Sequence, residues 1–220
     1  MSAASADLVL RSRRVVLRDG VREAAVVVRA GRIAAIVPPS AAPDAAEVID
    51  TGDRWLMPGL VDTHVHVNEP GRSEWEGFAS ATRAAAAGGI TTLVDMPLNS
   101  TPATTTVAAL EQKRVAAAGQ ACVDLGFWGG VVPGNAGDLE PLAAAGVLGF
   151  KCFLVPSGVD DFPHVGAADL REAMPVLCRI GRPLLVHAEL PGPIAAAGAV
   201  LSGHDPRRYA TWLASRPEAA

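Results

Sequence analysis

The chain has 220 residues, with 19 Lys+Arg against 23 Asp+Glu and a formal charge of −4. A mildly acidic chain without a basic stripe argues against nucleic acid or an anionic membrane as partner. Half of the residues are hydrophobic and only 5% aromatic, so a globular core would be built mainly from Ala, Val and Leu, and no run approaches the ~18 apolar residues of a membrane span.

Residues 1–57 read as a small β element. Short β-like runs lie at Asp7–Leu10, Arg14–Leu17, Ala24–Arg29 and Arg32–Val37. Turn signals at Asp19-Gly20 and Ala30-Gly31 separate them, and Pro38-Pro39 closes the group. The first fourteen residues carry no basic segment ahead of a long apolar run, so no secretory signal is expected. Cys122, Cys152 and Cys178 are not spaced as a disulfide framework, which predicts reduced thiols in a cytoplasmic protein.

From residue 58 onward the rhythm changes. Apolar runs begin near Leu60, Ile90, Cys122, Gly149 and Pro183, which are 30, 32, 27 and 34 residues apart. Ala-rich helical stretches at Glu74–Ala87, Thr104–Ala118, Leu139–Ala145 and Ala168–Ile180 separate them. Continuous apolar strands alternating with helices predict an α/β fold with a parallel sheet. An eight-stranded barrel at this period needs roughly 250 residues. The 161 residues from Leu60 accommodate about five βα units. An open doubly wound sheet would also hold five strands.

Three segments carry chemistry. In Leu60-Val61-Asp62-Thr63-His64-Val65-His66 the two histidines stand at i and i+2 on a strand, so both imidazoles share one face and can share one metal ion. Asp62 lies on that face too and could orient a ligand. A pair of surface histidines on an edge strand is the plainer alternative. Lys151 is one of only two lysines and sits inside the apolar run Gly149–Val155. It either snorkels its ammonium to solvent or has reacted with carbon dioxide to give a carbamate, an anion whose two oxygens can bridge two cations. His187 closes a third apolar strand, Pro183–His187. His164 and His204 fall in loop-like stretches and are expected at the surface.

Four motifs, PGLVDTHVHVNEPG at 58–71, AAAAGGITTLVDMPLNS at 84–100, GFKCFLVPSG at 149–158 and LLVHAE at 184–189, resemble the cyclic amidohydrolases. That family includes dihydroorotases, hydantoinases and allantoinases. The resemblance runs from about Asp7 to the C-terminus and implies a partial metal-dependent (β/α)8 TIM barrel after the β element. It implies that His64 and His66 bind one zinc ion, that a carboxylated Lys151 bridges two, and that His187 binds the second. Asn68 stands where dihydroorotases carry an arginine for the substrate carboxylate, and an amide cannot form that bidentate ion pair. D-hydantoinases place a tyrosine shortly after the metal lysine, whereas Pro156 and Ser157 stand here. The segments 68–78, 151–165 and 209–220 look most like allantoinases.

The resemblance therefore implies hydrolysis of a cyclic ureide, allantoin to allantoate, with Asn68 and Asn99 as substrate contacts, and suggests a homo-oligomer, a tetramer. Dihydroorotase or hydantoinase chemistry is the alternative, and for Asn99 so is a turn role beside Pro97 and Pro102. The family also uses a histidine after the sixth strand and an aspartate base after the eighth. Both would lie beyond Ala220, so no catalytic base is expected within these residues. The sequence reads as a fragment of a longer enzyme or as a non-catalytic, truncated or interaction chain.

Overall fold

In the N-terminal segment one long strand organises the rest. The computed structural model describes residues 5–220, which divide at Gly59/Leu60 into two compact units. In the first unit β1 (Ala6–Leu17) pairs antiparallel with β2 (Gly20–Arg29), which pairs with β3 (Arg32–Val37). Where the sequence reading breaks β1 into two runs, the chain instead carries a register shift between Ser12 and Val15. Ser12 Oγ donates to the Arg54 carbonyl at 2.6 Å and accepts from Arg14 N–H at 2.9 Å, so the irregularity is satisfied locally. Two strands beyond Pro39 have no counterpart in the sequence reading: β4 (Ala45–Asp50) and β5 (Trp55–Leu56), both parallel to β1. β4 exposes every residue after Ala45, so it offers no alternation to read.

The second unit alternates strands and helices. In chain order these are β6 (Leu60–Val65), α1 (Phe78–Ala87), β7 (Ile90–Asp95), α2 (Val107–Ala117), β8 (Asp124–Phe127), β9 (Gly129–Gly130), α3 (Leu139–Ala144), β10 (Phe150–Phe153), α4 (Ala167–Ile180) and β11 (Leu184–His187). Helices α5 (Pro191–Val200) and α6 (Tyr209–Ala214) follow. All strand pairs here are parallel, in the orders β6-β7-β8 and β9-β10-β11. The two groups join across Trp128, because Leu148 N–H donates to Phe127 O at 3.0 Å and Gly129 N–H to Gly149 O at 2.9 Å. The expected third strand is thus split in two around a tryptophan. After α6 the chain closes in a turn, in which the Ala220 N–H donates to Pro217 O at 2.8 Å.

The first two helices begin later than the composition suggests, whereas α3 and α4 begin within a residue of it. Glu74–Gly77 is not helical, because the Glu69 carboxylate accepts the Phe78 N–H at 2.9 Å and starts α1 there. Thr106 caps α2 by accepting from Ala109 N–H at 3.2 Å, which leaves Thr104 and Thr105 in the preceding loop. α4 ends at Gly181, whose φ of 63° supplies the left-handed cap.

The strands separate two apolar layers. On the helix side Val67, Phe78, Leu110, Phe127, Phe150, Cys152 and Leu177 pack together. On the other side Val94, Met96, Leu98, Trp128 and Phe162 form a second cluster, with Phe153 and Leu185 against it. Because successive strand residues alternate in direction, Lys151 and Phe153 face away from the helices and alternate with Phe150 and Cys152, which face them.

Candidate metal centre

His64 and His66 occupy the end of β6 and the residue just beyond it, at the carboxyl edge of the parallel sheet. Their ring centroids lie 5.5 Å apart. β6 bulges at this point: Asp62 pairs with Leu93 and Val65 with Asp95, so Thr63 and His64 together oppose Val94 alone. The peptide joining Thr63 to His64 loses its ladder partners and is held by side chains instead. Its carbonyl accepts from Trp128 Nε1–H at 2.9 Å, and its N–H donates to Asp62 Oδ1 at 3.1 Å. Asp62 therefore acts on the His64 backbone rather than on an imidazole.

His66 is half-buried, and its Nδ1 is buried without a hydrogen-bond partner. Desolvation first, then the neighbouring His64 and the Lys151 ammonium, hold its imidazole below the ordinary range and so neutral, the form that ligates metals. Lys151 is only 5% exposed and forms no ion pair among the described residues. Burial lowers its pKa, which increases the fraction of free, nucleophilic amine. The ammonium stands 4.9 Å from the Phe153 ring centroid, and Phe153 stacks on His187 with centroids 4.8 Å apart. His187 Nε2 meets Glu189 Oε2 at 2.7 Å, and Arg216 Nε donates to the other carboxylate oxygen at 2.6 Å.

The structure thus places His64 beside His66, the Lys151 ammonium over the Phe153 ring, and His187 stacked on that same ring. It does not gather three His, Cys, Asp or Glu side chains within reach of one metal ion among the described residues. The donor set nevertheless suits divalent ions: an orphaned neutral imidazole nitrogen and a desolvated amine lie on the open face.

Asn68 is 8% exposed, and its Oδ1 is buried with no partner. Asn99 is half-buried with φ of 79°, so it occupies the left-handed turn position that the composition around it suggests. Arg72 links the two, its N–H donating to Asn68 O and its Nη1 to Asn99 O, each at 3.0 Å. His164 and His204 are exposed. Ala220, the residue past which the resemblance puts the family's base, brings no functional group of its own: its side chain is a methyl and it is half-buried.

An amidohydrolase family model matches residues 55–199. The chain belongs to the amidohydrolase family. Membership implies a binuclear metal centre. This amidohydrolase is 56% identical to an allantoinase of Streptomyces avermitilis over 97% of its own length and 47% of the relative's. It is 48% identical to an allantoinase of Arabidopsis thaliana, over 94% and 42%. Its fold matches an L-hydantoinase (dihydropyrimidinase) from Arthrobacter aurescens with a TM-score of 0.88 at 32% identity, over 96% of this chain and 47% of that one. The barrel architecture is therefore that of the family, and the chain spans about half the length of the relatives it matches.

One feature of this amidohydrolase escapes a reading of its motifs. The second lysine, Lys113 on α2, is 1% exposed and pairs with Asp95, 0% exposed, at 2.7 Å. The signal is present but indirect: Ala109, Leu110, Lys113 and Ala117 share the buried face of α2, which puts a lysine in an apolar register. The three cysteines are free, Cys152 buried and the other two exposed. No helix among the described residues is long and apolar enough to cross a membrane.

Proposed function

We propose that the protein is a zinc-dependent cyclic amidohydrolase that opens the hydantoin ring of allantoin to give allantoate. The observation that carries this reading is the open face of the sheet, where the unpartnered imidazole nitrogen of His66, just past the carboxyl end of β6, and the buried, desolvated amine of Lys151, within β10, are both found. His64 and His66 would hold one zinc ion, His187 a second, and a carboxylated Lys151 would help to hold both. Two such ions, when bound, supply Lewis acidity to the amide carbonyl and to the attacking water.

The chain's own residues bind and orient. Asn68 Oδ1, desolvated and unsatisfied, accepts a ring or ureide N–H, which is the contact that a buried lone acceptor favours. Asn99 presents its amide from the same rim, to which Arg72 holds it. Asp62 and Trp128 keep His64 in place through its preceding peptide. The base that manages the proton is assigned, by the family resemblance, to a segment after the eighth strand, beyond Ala220. The names of the relatives at 56% and 48% identity support allantoin over other ureides. The match to an L-hydantoinase supports a second reading, opening of a 5-substituted hydantoin. A homotetramer in the cytoplasm completes the proposal, although one relative at 46% identity, from Aquarana catesbeiana, is named a mitochondrial allantoinase.

The test is a substrate panel of allantoin, hydantoins and dihydroorotate on a chain extended through strands six to eight, with zinc and bicarbonate supplied. Allantoin should be preferred, and Asn68→Ala should lower its turnover far more than the zinc content. Equal losses of turnover and zinc would make Asn68 structural. Preference for a substituted hydantoin would select the second reading, and light scattering reports the oligomer.

A further inference from the structure

We propose that Asp95 and Lys113 are positioning residues for His66, acting from the helix-covered side of the sheet. The inference rests on the reading of His66 as a metal ligand. β6 ends at Val65 and β7 at Asp95, and the last ladder bond between them runs from Met96 N–H to Val65 O at 2.7 Å. Beyond it the next inward donor, the Val67 N–H, has no carbonyl opposite. The Asp95 carboxylate takes that place, with Oδ1 accepting from Val67 N–H at 2.7 Å.

His66 is thereby fixed on both flanks. The peptide before it is bound through the Val65 carbonyl, and the peptide after it through the Val67 N–H. Two anchored peptides define the backbone angles of the residue between them, and these set the direction of its imidazole.

Asp95 is not itself a ligand. Its neighbours Val94 and Met96 pack on the open face, so its side chain points to the opposite side, toward α2. There Oδ2 accepts from Lys113 Nζ at 2.7 Å, and the same ammonium donates to Met96 O at 3.0 Å. Three segments meet at this carboxylate: the end of β7, helix α2 and the residue after His66. A buried ion pair is a weak source of stability, since two apolar side chains of similar volume often serve as well or better. The pair is better explained by the bond that an aliphatic side chain could not make. The ammonium holds the carboxylate in one orientation and keeps it ionised, which strengthens its bond to Val67 N–H.

The experiment measures Co2+ affinity by visible absorption in the parent chain, in Asp95→Leu with Lys113→Met, and in Asp95→Asn with Lys113→Met. Both double variants remove the two charges together, so no lone buried ion remains. Only the asparagine variant keeps an acceptor for Val67 N–H. The leucine variant should bind Co2+ about 10- to 100-fold more weakly, while the asparagine variant should stay within about threefold of the parent. Leucine-variant affinity equal to the parent's, or equal losses in both variants, overturns the inference. If the parent's Co2+ spectrum survives His66→Ala, it is the metal reading of His66 that fails, and the inference falls with it. Amide exchange of metal-free parent protein is decisive even if the leucine variant does not fold: Val67 N–H should be strongly protected, and exchange at the rate of an exposed amide overturns the inference.

Discussion

The indole of Trp128 reaches past β7 to bond the Thr63 carbonyl at 2.9 Å, although the two residues are 65 positions apart. The bond satisfies the carbonyl that the bulge in β6 removes from the ladder, on the peptide immediately before His64. Trp128→Phe keeps most of the packing and removes the donor. We expect a loss of about 0.5–1.5 kcal/mol in urea unfolding, the net worth of one hydrogen bond to a carbonyl that water can reach. We also expect weaker Co2+ binding at His64. Unfolding and binding both indistinguishable from the parent would show that the bond does not hold the bulge.

Gly149 gives that indole its space. A Cβ at 149 would stand 2.5 Å from Trp128 Cζ3 and 2.8 Å from the Pro183 carbonyl oxygen, and the latter is backbone that cannot swing away. Gly149→Ala should therefore destabilise by about 1–3 kcal/mol. Combined with Trp128→Phe the two costs should be less than additive, because the smaller ring relieves one of the clashes. Strict additivity in a double-mutant cycle would count against a shared origin.

Lys151→Met separates a functional from a structural lysine. The amine is buried without an ion-pair partner among the described residues, so an isosteric thioether should leave the melting temperature unchanged or raise it. Bicarbonate-dependent Co2+ binding should be lost in the same variant. A variant that melts well below the parent and still binds metal would mark Lys151 as structural.

The pH dependence of stability reports on Asp95. Burial pushes its carboxyl up to about 6, while Lys113 and the N–H groups of Val67 and Met96 pull it back. A carboxyl raised from 3.8 holds its proton more tightly in the folded chain, so its contribution is complete below about 3.8 and is lost as pH rises through about 6. Lys113→Met removes the strongest downward pull and extends that loss to higher pH. Urea midpoints from pH 5 to 8 should fall more steeply with pH for the variant, and parallel curves would refute the assignment.

The parallel strands were legible because clusters of apolar residues recur at a regular interval, and those at Leu60 and Ile90 begin where the sequence places them. The third begins later, at Asp124, and breaks at Trp128, because indole volume and a bond to another strand are not local properties. β4 was illegible for a different reason: its pairing with β1 is backbone hydrogen bonding without a buried face. At the site, His64, His66, Lys151 and His187 stand out as polar groups in apolar strands. Asp95 does not, because a carboxylate at a strand end looks like a turn residue until Lys113, on a helix 18 positions away, is seen beside it. His187 has Glu189 as its partner in the structure, a local contact two residues away that the motif alone did not suggest.

Arg72 ties Asn68 to Asn99, and a further bond from Thr101 N–H to Pro70 O at 2.8 Å runs between the same two loops. The two loops are therefore tied at more than one point. A movement of one loop must carry the other, and Arg72→Ala, which removes the side-chain tie to the Asn99 carbonyl, should let the two move separately.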